Sequence, residues 1–261
     1  MDMKATKFMM AMLFAAAFAT TQVSAVPIAV DLELVLAVDV SGSVSTGEYN
    51  GQRNGYIAAF NDAAVQNAIL GTSGGRLGKI AVTYVEWDSS AGTRISWTLI
   101  DSAASASAFA TSIGATVRSG SGSTAIGAAI NYSTGLFSFN DVTNAAYVGA
   151  RQVIDISGDG TNNSGATPTS ARDAALAAGV DAINGIAIGN EALRSYYESN
   201  VIGGADSFAL LATDFEASFT TGIKKKLFQE ITGIPVPEPA TLGLLGLGMM
   251  GLFLRRRKLA A

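Results

Sequence analysis

Short apolar runs alternate with stretches of helical period along the middle of this chain, between two strongly hydrophobic ends. Residues 32–38 are apolar but for Glu33 and are followed at once by Asp39, Ser41 and Ser43, which predicts a buried strand ending in small oxygen-bearing side chains. Ser45 and Glu48 then have capping-box spacing, and Tyr49, Arg53, Tyr56 and Phe60 recur at helical intervals, so a helix opens near Thr46. Residues 71–78 form a Gly-rich loop, and the runs at 79–87 and 93–99 read as strands paired in a hairpin through 88–92. An Ala-rich helix is expected over 101–117, with Phe109 and Ile113 four apart.

A Gly/Ser loop at 118–123 places Thr124 at the mouth of another helix, which carries Ile126, Ile130 and Phe137. Residues 151–157 predict a strand that runs out into Gly158-Asp159-Gly160. Thr167-Pro168 opens a helix that Gly179 closes. A strand at 182–188, a short helix at 191–199 and a last strand at 207–211 follow. Phe215, Phe219, Ile223, Leu227 and Ile231 recur every four residues, marking a helix whose apolar stripe covers the sheet, and its Lys224-Lys225-Lys226 run reads as a solvated face. Strands alternating with helices in this way predict an α/β fold. The expected form is a doubly wound, Rossmann-like, mostly parallel sheet with one antiparallel edge strand and helices on both faces. No internal repeat and no second domain is evident.

Composition narrows the chemistry. The 261 residues include no cysteine and no histidine, which removes disulfides, thiolate nucleophiles, Cys/His zinc sites and imidazole bases. The formal charge of −4 understates the acidity of the middle: residues 26–237 hold 11 Lys plus Arg against 19 Asp plus Glu, a net −8. Such a segment lacks the basic face that nucleic acid binding needs, and no nucleic-acid partner is expected.

The ends read as sorting signals. In residues 1–25, Lys4 and Lys7 precede an apolar run, and Val23-Ser24-Ala25 offers the small-residue pattern of signal-peptide cleavage, with an uncleaved anchor as the alternative. That leaves 26–232 as the domain and 233–239 as a linker. Residues 240–254 are apolar and end in Arg255-Arg256-Arg257-Lys258; fifteen residues at about 1.5 Å each fall short of a stable span and suit transient membrane insertion. Pro237-Glu238-Pro239, the apolar segment and the Arg cluster together resemble the PEP-CTERM sorting signal of Gram-negative bacteria. That resemblance implies recognition by an exosortase-type processing protease and delivery to the cell envelope, surface or extracellular matrix. A permanent single-pass anchor is the alternative reading.

Asp39, Ser41 and Ser43, Thr124, and Asp159 all fall at predicted strand ends or helix mouths. Two carboxylates with three hydroxyls suit a hard divalent cation, Mg²⁺ first, with Mn²⁺ or Ca²⁺ as alternatives. Asp155 competes with Asp159 for the last position, but its place inside a strand favours a buried role. Glu86 and Asp88 lie near another strand end, where an ion pair or turn role is expected. Asp39-Val40-Ser41-Gly42-Ser43 after an apolar strand, Thr124 in its Gly/Ser loop and Asp159-Gly160 resemble the metal-ion-dependent adhesion site of von Willebrand factor type A (VWA) domains. More narrowly, VDLELVLAVDVSGSV, RLGKIAVTYVEW, GSTAIG, VIDISGDGTNN and YYESNVIGG resemble a bacterial subgroup of unassigned function. The resemblance implies that Ser41, Ser43 and Thr124 bind the metal through hydroxyls, and Asp39 and Asp159 directly or through water. An acidic group of a protein or polysaccharide partner would complete an octahedron. Where the family commonly has Thr-Asp-Gly, this chain has Ser157-Gly158-Asp159-Gly160.

These features point to an exported, non-enzymatic binding module. The alternatives are a metal-assisted hydrolase and a metal-independent structural protein of the extracellular matrix. Gly71-Thr72-Ser73-Gly74-Gly75 fits GxSxG only inside the Gly-rich loop, the spacing from Gly74 to Lys79 does not make a P-loop, and the turn after the first strand lacks GxGxxG, so these motifs support no other enzyme class.

Overall fold

The computed structural model of the chain describes residues 26–143 and 147–234. The expected signal peptide, the Pro237-Glu238-Pro239 motif and the apolar tail lie outside the described residues. In order the elements are β1 (Ile28–Val30), β2 (Leu32–Asp39), α1 (Thr46–Phe60), α2 (Ala63–Leu70), β3 (Ile80–Trp87), β4 (Ala91–Ile100), α3 (Ala103–Gly114) and α4 (Ile126–Thr143). They continue as β5 (Tyr147–Gly149), β6 (Gln152–Gly158), α5 (Pro168–Ala177), β7 (Ala182–Ile188), α6 (Glu191–Asn200), β8 (Gly203–Gly204), β9 (Ala209–Ala212) and α7 (Ala217–Thr232).

The main sheet runs β4-β3-β2-β6-β7, with β8 and β9 both on the outer side of β7. The pairs β2–β3, β2–β6, β6–β7 and β7–β9 are parallel, while the hairpin strand β4 and the two-residue β8 are antiparallel. The fold class is therefore as expected, with a second short antiparallel pairing. Strands β1 and β5, three residues each, form a separate parallel pair.

The central strand β2 is buried on both faces, as its apolar run requires. Its side chains alternate between two cores: Leu32, Leu34, Leu36 and Val38 pack with α1, α2, α3 and α7, whereas Val35 and Ala37 pack with α4, α5 and α6. Period-two alternation puts Asp39 on the second face, at the carboxyl end of the strand. There the chain winds outward to β3 on one side and returns to β6 on the other, the switch point at which doubly wound sheets bind ligands.

The local signals act as their chemistry dictates. Ser45 and Glu48 close a full capping box on α1. Asn61 ends that helix, and the Asp62 carboxylate caps α2 by accepting from Ala64 N at 2.9 Å. Pro168 sits in the first turn of α5, and Gly179 follows that helix at φ +105°, a conformation that favours glycine. α3 is shorter than the Ala-rich run because Ser102 caps its start in a second capping box.

One expectation is overturned. Lys226, placed by the sequence on a solvated face, is fully buried. Its Nζ lies 2.7 Å from Asp155 on β6 and 2.5 Å from Glu230 one turn along α7. Asn184 on β7 donates to the same Glu230 oxygen at 3.0 Å. Lys226 follows Phe219 by seven residues and Ile223 by three, so it belongs to the stripe that faces the sheet. A charge there is tolerable only because two carboxylates meet it. Lys224, by contrast, is half-exposed and pairs with Asp62 at 2.9 Å.

Candidate metal centre

The five expected ligand residues converge at the carboxyl ends of β2 and β6 and the mouth of α4. Asp39, the last residue of β2, is fully buried; one carboxylate oxygen, Oδ1, accepts from Ser41 N at 2.7 Å. The other, Oδ2, is buried with no hydrogen-bond partner. Ser41 Oγ lies 3.2 Å from Ser43 Oγ and 3.5 Å from Thr124 Oγ1, and Ser43 donates to Asp159 Oδ1 at 2.6 Å. One chain of oxygens thus joins all three segments. Ser43 is exposed and Asp159 half-buried, so the cluster opens at the rim.

Burial pushes the Asp39 carboxyl up to about 7, helped by the Asp159 charge and opposed by the hydrogen bonds from Ser41. Burial also raises Asp159, with the Ser43 hydroxyl opposing and Glu48 adding to the rise. Two carboxyls that resist ionisation side by side, with an orphaned oxygen between strand ends, are a donor set that a divalent cation satisfies. Among the described residues no group of three or more His, Cys, Asp or Glu forms a metal cluster. A cation here would draw three of its five donors from hydroxyls.

Gly158 settles the departure from the common motif. Strand β6 continues through Gly158, which pairs with Ala187, and Asp159 emerges just past its end. A methyl group added at Gly158 would stand 2.7 Å from the Tyr197 hydroxyl, 2.8 Å from Asp39 Oδ2 and 3.2 Å from the Trp87 ring, so only glycine passes there without displacement. Asp155, the competing ligand, faces the other core and is held by Lys226. The structure does not bring it to the cluster. Burial raises its carboxyl to about 7, against the pull of Lys226.

Scaffolding residues fix the Thr124 loop against the β2 loop. Gly42 N donates to Gly122 O at 2.7 Å, and a side chain on Gly42 would meet Ser121 O at 2.9 Å. Arg118 donates from Nη2 to the carbonyls of Val40 and Ser41, both at 2.8 Å. Glu86 and Asp88 do what the sequence suggested. Buried Glu86 accepts from Tyr49 OH and Ser119 N and lies 3.5 Å from Arg94, while Asp88 Oδ2 accepts from Gly122 N at 2.9 Å. Sequence reasoning missed Asn162, Asn163 and Gln52. Asn163 Oδ1 accepts from Thr124 N at 2.9 Å, Asn162 Oδ1 from Gly127 N at 3.3 Å, and Gln52 Nε2 donates to Asp39 O at 3.0 Å. The paired asparagines just beyond Asp159 were the available signal for the first two. Beside Asp159 an open cleft of about 620 Å³ is bordered by Glu48, Asp214, Phe215 and Glu216.

Comparison with known proteins bears on the family and the fold. Residues 29–235 match a family described as protein of unknown function (DUF1194), and residues 235–258 match the PEP-CTERM protein-sorting motif. No curated protein matches the chain. Among solved structures, proximal thread matrix protein 1 of the mussel byssus is similar with a TM-score of 0.59 at 16% identity, over 79% of this chain and 49% of that one. Another structure of that protein, with a zinc-occupied MIDAS motif, gives 0.54. The pilus adhesin SpaC of Lactobacillus rhamnosus GG gives 0.54 at 13% identity, covering 77% of this chain and 30% of the adhesin. A von Willebrand factor type A protein from Catenulispora acidiphila gives 0.51 at 14% identity, covering 78% and 43%. The chain spans about half the length of the mussel protein or less of the others, and the likeness is one of fold.

Proposed function

We propose, for a chain that belongs to the DUF1194 family, has a VWA-like fold and ends in a PEP-CTERM motif, that residues 26–232 form an exported, non-enzymatic binding module dependent on a divalent cation. Asp39, Ser41, Ser43, Thr124 and Asp159 would hold Mg²⁺, and the cation would supply an open position for a carboxylate of the partner. The observation that carries this reading is the orphaned, buried Asp39 Oδ2 within a continuous cluster of hard oxygen donors. The PEP-CTERM motif implies exosortase processing and export to the cell envelope of a Gram-negative bacterium, and it supports a role outside the cytoplasm. Among the described residues no helix is long and apolar enough to cross a membrane.

The cleft beside Asp159 carries Glu48, Asp214 and Glu216. Negative charge there opposes a densely anionic polymer and favours an isolated carboxylate flanked by neutral or cationic groups. A protein segment fits that description better than a polyuronate chain.

Calorimetric titration of Mg²⁺ and Mn²⁺ into the wild type and Asp39→Ala tests the cation site. Heat of binding in the first and none in the second is expected; equal heats in both at millimolar metal would remove the reading. Capture of an envelope protein from native cell surfaces, lost on adding EDTA, tests the partner. Metal-dependent turnover of ester, phosphate or glycosidic substrates would favour the hydrolase instead.

A further inference from the structure

Three buried polar atoms on one side of the sheet have no hydrogen-bond partner, Asp39 Oδ2, the Tyr197 hydroxyl and Trp87 Nε1, and the first two stand beside the same glycine, with an edge carbon of the Trp87 ring close by. Tyr197 comes from α6, Trp87 from the end of β3 and Asp39 from the end of β2. All three residues are fully buried. A methyl built on Gly158 would be 2.7 Å from the Tyr197 oxygen, 2.8 Å from Asp39 Oδ2 and 3.2 Å from the Trp87 ring edge. Two oxygens that each stand so close to one point are within the span of a single bridging water.

The donor inventory is complementary. A carboxylate oxygen only accepts, an indole N–H only donates, and a phenol can donate. A buried phenol without a direct partner is costly in an interior this well packed, and the Asp39 carboxylate is the acceptor that borders the same gap.

We propose that Tyr197 is a positioning residue for the candidate cation site, its hydroxyl supporting Asp39 Oδ2 across the gap over Gly158. Ser41 N holds one carboxylate oxygen and Tyr197 steadies the other from across that gap without a direct hydrogen bond, so the carboxylate would meet the cation in one orientation. The inference rests on the cation-binding reading and adds to it the support from α6, which lies outside the loops that carry the ligands. It also gives a reason for glycine at 158: a side chain there would push the two oxygens apart.

The test compares Tyr197→Phe with the wild type, using Tyr84→Phe as control. Tyr84 also has a buried, unpartnered hydroxyl, but it packs in the opposite core. Mg²⁺ and Mn²⁺ affinity is read by calorimetry, and the thermal midpoint is measured in EDTA. Tyr197→Phe is expected to fold with a midpoint in EDTA close to that of the wild type, because the hydroxyl makes no direct hydrogen bond. Its cation affinity is expected to fall about 10-fold, the usual effect of losing a group that orients a ligand. Tyr84→Phe should bind as the wild type does. Unchanged affinity in Tyr197→Phe, or an equal loss in both variants, would overturn the positioning role while leaving the cation site standing. A wild type that binds no cation would remove both.

Discussion

Two carboxylates one strand apart, Asp39 and Asp155, are both fully buried and both raised to about 7 by burial, yet their surroundings are opposite. Asp155 faces the α7 side and meets Lys226 at 2.7 Å, with Glu230 and Asn184 beside that lysine inside the core, although Asp155 Oδ2 and Glu230 Oε2 have no hydrogen-bond partner of their own. Asp39 faces the α6 side among hydroxyls and a second carboxylate, where the nearby Arg118 donates to the Val40 and Ser41 carbonyls, and Asp39 Oδ2 has no hydrogen-bond partner. Burial and a raised pKa are shared by both, so neither marks a site. The distinction is what balances the charge: a lysine supplied by the fold in one case and, under the proposed function, a cation from outside in the other.

Removing the internal cation should produce the largest effect. Lys226→Met leaves two buried carboxylates uncompensated and should cost about 3–5 kcal/mol in urea denaturation, with little effect on Mg²⁺ affinity in whatever fraction folds. A loss within the range of an ordinary surface substitution would show that the triad carries no net charge to balance.

The pH dependence sharpens the contrast. Each of the two carboxyls binds its proton more tightly folded than unfolded, so in EDTA stability should be full near pH 4 and fall as pH rises toward 7. Each tenfold in proton affinity is worth about 1.4 kcal/mol. Saturating Mg²⁺ should remove the Asp39 share of this slope, because the metal binds the carboxylate form, and leave the Asp155 share intact. Denaturation midpoints across this range with and without Mg²⁺ measure both. A slope that Mg²⁺ leaves unaltered would count against a cation at Asp39.

A smaller effect is expected from Gly158→Ala, whose methyl displaces Asp39 and Tyr197. It should cost about 1–3 kcal/mol and weaken cation binding, whereas the same change at Gly135, which has open space around it, should leave binding unaltered. The smallest is Asn163→Ala, which leaves Thr124 N without its side-chain acceptor. About 1 kcal/mol of stability should be lost, with a modest drop in Mg²⁺ affinity read by calorimetry.

Much of this was legible in the order of residues because it depends on local pattern. The apolar run of β2, the Ser45–Glu48 box and the Thr167-Pro168 start all encode their elements within a few positions. The convergence of Asp39, Ser41, Ser43, Thr124 and Asp159 was legible for a related reason, since strand ends and helix mouths are local features and a doubly wound sheet gathers them at one edge. What escaped depends on the third dimension. Lys226 sits in a triple-lysine run that looks solvated, and only its seven-residue spacing from Phe219 reveals the inward face. Strands β1 and β5 are three residues long and carry no period to detect. Asn163 matters because its amide reaches across 39 positions to Thr124, a link without any local sign. Gln52 lies on a helix whose pattern shows only that its side is inward.

The buried ion pair between α7 and β6 also has a mechanical meaning. α7 ends at Thr232, and the chain leaves it through Gly233 toward the sorting motif. Traction on that end would enter the domain along α7, whose Phe219, Ile223, Leu227 and Ile231 are packed into the core. The Lys226–Asp155 contact ties the helix to β6 four residues upstream of Asp159, beside the Asn184 and Arg151 hydrogen bonds to Glu230. A pull on the tail would therefore reach the strand that leads to Asp159 through these polar ties, the Lys226–Asp155 pair foremost among them.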